Sequence, residues 1–332
     1  MGSGALSADS PFFIVGCGRS GTTLLRTLLD RHPLVAIPLE SLFIIDYLRA
    51  SQARPLADLL PMLVAEPEIK EWGLDVDLGA VAQASSMADA IERLHCLYAE
   101  SQGKSRWGQK TPRFVRHMEL LSDHFPTACF IHLVRDPRAV VSSLVRSDVH
   151  QSNVYYASRR WLKDVGAGLR FESEHPGRVL RMSYEELVSE PEDQLREICR
   201  FVGLDWPDAG WWEDGNLPTA DYSSFYDKIH RNLDGPISPD RISSWRRQLQ
   251  PNEIQVIEAI VGPQMEQVGY HPIEEPAFPG FWQKAYFRLD RGLGLLRQAW
   301  KYLRQRRGYL FHLIYRKVML GRILSFLKEA NY

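Results

Sequence analysis

The chain has 332 residues, of which 45% are hydrophobic and 24% are charged, and its formal net charge is −1. This composition is typical of an ordinary soluble globular protein, and the length is enough to bury a substantial core in one large domain or two smaller ones. The four cysteines form no C-x-x-C pair and have no metal-ligand spacing, which argues against a metal centre and favours reduced thiols in a cytosolic protein.

No secretory or membrane-spanning segment is expected. The first nine residues lack the basic start of a signal peptide. No uninterrupted apolar run approaches the ~18 residues that a spanning helix requires. These observations predict a cytoplasmic location.

The first patterned stretch combines a strand, a glycine-rich loop and a helix. Residues 11–33 read PFFIVGCGRSGTTLLRTLLDRHP, with an apolar run before the loop and leucines at helical spacing after it. The glycines allow backbone N–H groups to converge on an anion, and the helix N-terminus adds the positive end of its dipole. The spacing matches the phosphate loop of nucleoside triphosphatases, except that Thr22 replaces their lysine and the cation is Arg19.

The motif G-x-x-R-S-G-T-T resembles the 5′-phosphosulfate loop of sulfotransferases that use 3′-phosphoadenosine 5′-phosphosulfate (PAPS). The form with arginine, followed by a glutamate after the first helix, is most similar to the tyrosylprotein sulfotransferases and related bacterial enzymes. The resemblance implies PAPS as co-substrate, 3′-phosphoadenosine 5′-phosphate (PAP) as product, and no metal. The loop residues that would bind the nucleotide are Gly18, Arg19, Ser20, Gly21, Thr22 and Thr23.

Strands and helices alternate along the rest of the chain. Strands are predicted over 34–38, 106–110, 127–134 and 178–184, and helices over 41–49, 114–125, 151–174, 192–202 and 251–268, with a broken helical segment over 56–102. This alternation predicts an α/β fold of the P-loop, three-layer type, with a central, mostly parallel sheet flanked by helices and a C-terminal helical extension. Ligands should bind at the carboxyl ends of the strands. The predicted sulfotransferase domain covers residues 11–275.

A second motif follows the strand predicted over 127–134. The sequence V-R-D-P-R-x-x-x-x-S resembles the family's 3′-phosphate site, which implies that Arg135 and Ser143 bind the 3′ phosphate of PAPS. A bidentate arginine suits that task. The structural alternative for Arg135 is a surface salt bridge with Asp136. Two matching motifs in the right order are much more specific than either alone.

Two weaker matches imply further nucleotide contacts. Tyr184 begins the segment Y-E-E-L, which resembles a family segment whose tyrosine lies near the nucleotide; the alternative is a core tyrosine at a strand end. Arg246 and Arg247 belong to a basic segment of the kind that closes over the nucleotide in the family. Because the tyrosylprotein enzymes have lysine near the position of Ser244, the register of this match stays open.

Sulfuryl transfer resembles phosphoryl transfer, in which the protein mainly positions groups and stabilises charge. By resemblance, Arg19 and Lys110 would stabilise the transferring group and the leaving phosphate. Many cytosolic members carry their histidine base in K-T-H, but this chain reads K-T-P from Lys110. The tyrosylprotein type uses a glutamate instead, in the place that Glu40 occupies, so Glu40 is the predicted general base. A helix-capping acid is its structural alternative, and His150 is a weaker candidate.

The C-terminal segment 281–332 contains twelve Lys or Arg and two Asp or Glu, a net charge of +10 that leaves −11 on the first 280 residues. The pattern predicts a basic amphipathic helical extension with interleaved aromatic residues. One interpretation is a peripheral anchor at the inner membrane surface, attracted to anionic lipid. The other is packing on the acidic core or on a second subunit of a homo-oligomer. No nucleic-acid-binding module is recognisable.

Three classes of function follow. The first is a PAPS-dependent sulfotransferase with a hydroxyl acceptor, which the sequence leaves open among peptide tyrosine, glycan, lipid and small molecule. The second is a P-loop kinase or ATPase, which the absent lysine at position 22 and the absence of a Walker-type Asp after an apolar strand disfavour. The third is a non-catalytic, membrane-associated nucleotide-binding adaptor, which the intact set of candidate site residues disfavours.

Overall fold

The computed structural model describes residues 10–147, 152–207, 210–213, 239–305 and 307–321. His150 lies outside these ranges. A five-stranded sheet is the centre of the fold, and its strands are β1 (Phe12–Gly16), β2 (Val35–Ala36), β3 (Arg106–Lys110), β4 (Cys129–Val134) and β5 (Val179–Ser183). Their order is β2-β3-β1-β4-β5, and every neighbouring pair is parallel. The loop after the central strand β1 therefore lies at the carboxyl edge, where open parallel sheets bind ligands.

Helices surround this sheet and continue beyond it. They are α1 (Thr22–Leu29), α2 (Phe43–Ala50), α3 (Leu56–Val64), α4 (Pro67–Glu71), α5 (Met87–Ser101), α6 (Met118–His124), α7 (Pro137–Val145), α8 (Val154–Glu174), α9 (Tyr184–Ser189), α10 (Pro191–Val202), α11 (Asp240–Ser243), α12 (Trp245–Gln248), α13 (Pro251–Gln267), α14 (Phe281–Gln305) and α15 (Arg307–Met319). Among the described helices, none is long and apolar enough to cross a bilayer.

The side chains of β1 alternate between the two faces of the sheet. Phe13 and Val15 pack in a cluster with residues of α2, α5 and α6, whereas Phe12 and Ile14 pack in a cluster with residues of α1 and α10. Burial on both faces explains the unbroken apolar run in the sequence of this strand. The sheet is thus covered by helices on both faces, which confirms the predicted three-layer fold, and α14 and α15 form the predicted C-terminal extension.

Some predicted elements have different boundaries. The strand predicted over 34–38 is reduced to Val35–Ala36. The helix predicted over 114–125 begins as a 3-10 turn, Pro112–His117, and becomes α6 at Met118. The Phe114 N–H donates to the Thr111 carbonyl at 2.9 Å, and this tighter turn buries two consecutive apolar side chains before the α-helix starts.

A buried ion cluster attaches α15 to the core. The side chain of Arg316 is 2% exposed, and its Nη1 atom lies 2.6 Å from Glu66 Oε2 and 3.0 Å from Glu68 Oε1. Its Nε atom lies 3.4 Å from Asp46 Oδ2, and Lys317 Nζ lies 2.6 Å from Asp46 Oδ1. The carboxylates raise the pKa of Arg316 against the effect of burial. The acidic partners come from α2 and from the start of α4, so the last described helix packs beside the segment that follows β2.

Replacing Arg316 with methionine should lower the free energy of unfolding by about 3–5 kcal/mol, because three buried carboxylates would lose their shared cation. Urea unfolding followed by circular dichroism measures this loss. Lys284→Met, at an exposed position of α14, is the matched control and should change stability by less than about 0.5 kcal/mol. An equally small effect at Arg316 would contradict a structural role for the ion cluster.

Candidate active site

The glycine-rich loop joins β1 to α1 at the carboxyl edge of the sheet. Ser20 N–H donates to the Cys17 carbonyl at 3.1 Å, and Arg19 has a φ of 77°, the one positive φ of a non-glycine residue in the described chain. Helix α1 begins at Thr22 with Gly21 as its N-cap, and no side chain caps it. The N–H groups of its first turn therefore lack side-chain partners, an arrangement that binds phosphate.

Two glycines of the loop permit close approaches by other side chains. Gly21 has a φ of 92°, and a Cβ atom there would overlap the ring of Tyr184. A Cβ atom at Gly18 would lie 2.7 Å from Nη2 of Arg160. Tyr184 is buried and is the first residue of α9 rather than the end of a strand. Its ring therefore lies against the loop, and its contact with the nucleotide stays a prediction.

Arg135 and Ser143 meet the loop from the neighbouring strand and helix. Arg135 directly follows β4, and its Nη1 atom donates to the Arg19 carbonyl at 3.2 Å. Its guanidinium carbon lies 4.0 Å from the centre of the Tyr184 ring. Ser143 lies in α7 and accepts a hydrogen bond from Arg19 Nε at 3.0 Å. The two sequence motifs therefore meet at one edge of the sheet.

The salt bridge considered as an alternative role for Arg135 is not formed. Asp136 pairs with Arg138 at 2.8 Å, and Arg135 has no ion pair with any described residue. The Nε atom of Arg135 and the Oγ atom of Ser20 are both buried without a hydrogen-bond partner in the part of the chain that the structure describes. Buried polar groups are normally satisfied, because an unmade hydrogen bond is costly. This donor set fits a ligand with more than one phosphate group.

Arg160 is a third cation at the loop, and no motif of the sequence indicates it. Its Nη2 atom lies against Gly18, and its Nε atom lies 3.6 Å from Asp164 Oδ2 one turn along α8. Burial, and then the charge of Arg135, lowers the pKa of Arg19, and Arg160 acts in the same direction. Three guanidinium groups therefore converge on one loop. The i, i+4 pair with Asp164 was visible in the sequence, but it does not indicate which face of α8 meets the loop.

Glu40 and Lys110 form an ion pair beside the loop. Lys110, the last residue of β3, is 3% exposed, and its Nζ atom lies 2.6 Å from Glu40 Oε1 and 3.4 Å from Thr23 Oγ1. Burial lowers the pKa of Lys110, and the charge of Glu40 opposes that shift. The side chain of Glu40 is 37% exposed, so the carboxylate is accessible to an acceptor from solvent.

The segment that carries Glu40 is held by residues at the end of β3. Ser41 N–H donates to Thr111 Oγ1 at 2.9 Å, and Gln109 Nε2 donates to Ser41 Oγ at 3.2 Å. Helix α2 begins at Phe43, two residues later than the sequence predicted. Its N-cap is Leu42, with no side-chain capping bond, so Glu40 does not cap that helix.

Arg246 and Arg247 lie in α12, and both side chains are exposed. Arg246 stacks on the ring of Trp245 at 4.7 Å, and neither arginine has a hydrogen bond or ion pair to the loop among the described residues. The backbone of Arg241 reaches the site instead, since its carbonyl accepts from Arg135 Nη2 at 2.9 Å. The structure thus brings this segment to the second motif but does not bring these two guanidinium groups there.

The fold and the site define a nucleotide-binding protein of the phosphate-loop class, with arginines in place of the loop lysine. The chain belongs to the sulfotransferase family, whose family model matches residues 11–208. Protein-tyrosine sulfotransferase 1 of Danio rerio is 28% identical over 277 residues, which cover 81% of this chain and 74% of that protein. Protein-tyrosine sulfotransferase A of Caenorhabditis elegans is 25% identical over 274 residues, which cover 80% of this chain and 69% of that protein.

Two solved structures share the fold. The sulfotransferase domain from the curacin biosynthetic pathway has a TM-score of 0.55 at 21% identity and covers 82% of this chain and 99% of that domain. The sulfotransferase domain from the Synechococcus PCC 7002 olefin synthase has a TM-score of 0.51 at 24% identity. The match covers 76% of this chain and 95% of that domain. The family membership confirms the predicted class: the protein is a PAPS-dependent sulfotransferase that transfers a sulfuryl group to a hydroxyl acceptor. The kinase and adaptor alternatives are thereby set aside.

Proposed function

We propose that Arg19, Lys110 and Glu40 carry out in-line sulfuryl transfer from PAPS to the hydroxyl of a peptide tyrosine. The observation that carries this proposal is the Glu40–Lys110 ion pair, whose amine also lies 3.4 Å from Thr23 Oγ1 in the phosphate loop. The Glu40 carboxylate and two cations, Lys110 and Arg19, therefore lie together at the loop. In-line transfer needs groups of this kind, because the enzyme must position the acceptor and stabilise the charge of the leaving group.

The nucleotide would be held by both motifs. The N–H groups of Gly21, Thr22 and Thr23 at the start of α1 would bind the 5′ phosphate. Arg135 and Ser143 would bind the 3′ phosphate, which satisfies the buried Nε atom of Arg135. PAPS supplies the sulfuryl group and leaves as PAP, so both phosphates stay bound through the transfer.

At the proposed site the proton moves to Glu40 and negative charge develops on the 5′ phosphate of the leaving nucleotide. Glu40 accepts the proton of the acceptor hydroxyl as the new S–O bond forms and the bond between sulfur and the 5′-phosphate oxygen breaks. Arg19 stabilises the negative charge that develops on the leaving oxygen. Once Glu40 is protonated its attraction for Lys110 falls, which leaves the ammonium group of Lys110 available to the same leaving phosphate.

A phenolic acceptor is supported by two considerations. The related proteins described above are protein-tyrosine sulfotransferases. A phenol also loses its proton near pH 10, much more readily than an aliphatic alcohol, and so it suits a carboxylate, which is a weak base.

The acceptor proposal is tested by incubating the protein with PAPS and a synthetic tyrosine peptide in the absence of magnesium. Mass spectrometry should show one sulfuryl group on the tyrosine peptide and none on matched peptides with phenylalanine or serine at that position. Sulfation of a serine peptide, a glycan or a lipid hydroxyl in preference to tyrosine would contradict the proposed acceptor and leave the enzyme class unchanged.

A further inference from the structure

Helix α14 exposes a stripe of large apolar side chains, called here the apolar stripe. Its members recur every three or four residues, which places them on one face of the helix. They are 45–82% exposed and comprise Trp282, Tyr286, Leu289, Leu293, Leu296 and Trp300. Single exposed apolar residues are common on protein surfaces, but a continuous stripe of this size marks a surface that binds a partner.

Helix α14 contacts the core through a different face. The ring of Phe287 stacks on Tyr155 at 5.7 Å, and Asn153 Nδ2 donates to the Phe287 carbonyl and to Asp290 Oδ2, both at 2.9 Å. Within α14, Gly294 is the residue that is buried. Phe287, Asp290 and Gly294 follow one another at helical spacing and form this second face. The described part of the chain therefore fixes α14 in place and leaves the apolar stripe uncovered.

The charges around the stripe indicate what covers it. Arg297 and Arg304 lie at one edge of the stripe, and Arg288 lies farther round the helix at an exposed position. The segment 281–332 has a net charge of +10, and its acidic residue within α14, Asp290, is bound to Asn153. A second copy of the chain packed stripe against stripe would bring together two segments that each carry a net charge of +10, which is unfavourable. An anionic surface complements this charge.

We propose that α14 binds the surface of an anionic lipid bilayer, with the helix in the plane of the interface and the apolar stripe inserted below the headgroups. Trp282 and Trp300 would lie roughly 27 Å apart along the helix, and tryptophan favours the membrane–water interface. The arginines that border the stripe would contact lipid phosphates. Because α14 is attached at the start of α8, and Arg160 of the same helix touches the phosphate loop, bilayer binding would hold the active site near the lipid surface.

Vesicle flotation with the full chain tests this proposal. The protein should float with vesicles of phosphatidylglycerol and phosphatidylcholine in equal parts, and much less with phosphatidylcholine alone, and rising salt should weaken the binding. The variant Leu289→Gln, Leu296→Gln, Trp300→Gln should reduce the partition coefficient by at least about tenfold. Leu78→Gln is the matched control, because Leu78 is 45% exposed on the 3-10 turn 78–80, outside α14.

A second variant keeps the test decisive if the first one folds poorly. Arg288→Gln, Arg297→Gln leaves the apolar stripe intact, and it should weaken binding to the anionic vesicles and reduce its salt dependence. Failure of the unsubstituted protein to float, or flotation that neither variant changes, would overturn the proposal. A dimer in sedimentation velocity that the stripe variant converts to monomer, without any vesicle binding, would show that a second copy covers the stripe and would equally overturn it.

Discussion

Replacement of Arg19 by alanine should lower kcat on the order of 10³-fold, with little change in thermal stability. Arg19 lies at the centre of the loop, donates to Ser143 and shares its surroundings with two other arginines. Its guanidinium is the group best placed to stabilise charge on the leaving phosphate, and loss of such a group typically costs at least 10²–10³ in rate. Steady-state rates at saturating PAPS, with a tyrosine peptide as acceptor, measure the effect.

The backbone at this position offers a sharp control. Because Arg19 has a φ of 77°, alanine is strained there and glycine is not. If the guanidinium group matters, Arg19→Gly and Arg19→Ala should lose activity equally. Substantial recovery in the glycine variant would show that the loss came from a distorted loop, and it would contradict the assignment of Arg19 to charge stabilisation. Arg196→Ala, on an exposed turn of α10, should leave kcat unchanged.

Replacement of Glu40 by glutamine should lower kcat by about 10²–10⁴-fold while PAP affinity changes little. Glutamine keeps the shape of the side chain and an oxygen that can accept a hydrogen bond from Lys110, but it cannot take the acceptor proton. The binding of PAP, measured by calorimetry, reports whether the ion pair was needed for nucleotide affinity. Glu119→Gln, at an exposed carboxylate of α6, is the matched control.

A series of phenols of increasing acidity separates a base from a structural residue. A more acidic phenol needs less help to lose its proton, so the loss of kcat in Glu40→Gln should shrink across the series. A purely structural role for Glu40 would give the same loss with every phenol. That constant loss, or a loss of less than tenfold with the tyrosine peptide, would contradict Glu40 as general base.

Much of the candidate site could be predicted because it depends on strand ends. In a parallel sheet the carboxyl ends of neighbouring strands meet at one edge, so the loop after β1, Lys110 at the end of β3 and Arg135 after β4 had to come together. Local spacing then placed Ser143 on α7, where it meets Arg19. The fold class could be predicted from the alternation of strands and helices along the sequence.

The parts of the site and fold that could not be predicted depend on contacts between distant segments, which local sequence patterns do not encode. Arg160 reaches the loop because of the way α8 is rotated against the sheet, and Arg246 is exposed because Trp245 takes the buried position of α12. The attachment of α15 is a similar case. Nothing near Arg316 in the sequence indicates that its partners are Asp46, Glu66 and Glu68.

The most direct test of the central claim is calorimetric titration of the protein with PAP and with ADP, without magnesium. PAP should bind at least about 100-fold more tightly than ADP, because Arg135 and Ser143 are placed to hold a 3′ phosphate that ADP lacks. Arg135→Ala should remove most of that preference and leave ADP binding unchanged. Equal binding of the two nucleotides, or binding of ADP that requires magnesium, would contradict the assignment of this site to PAPS.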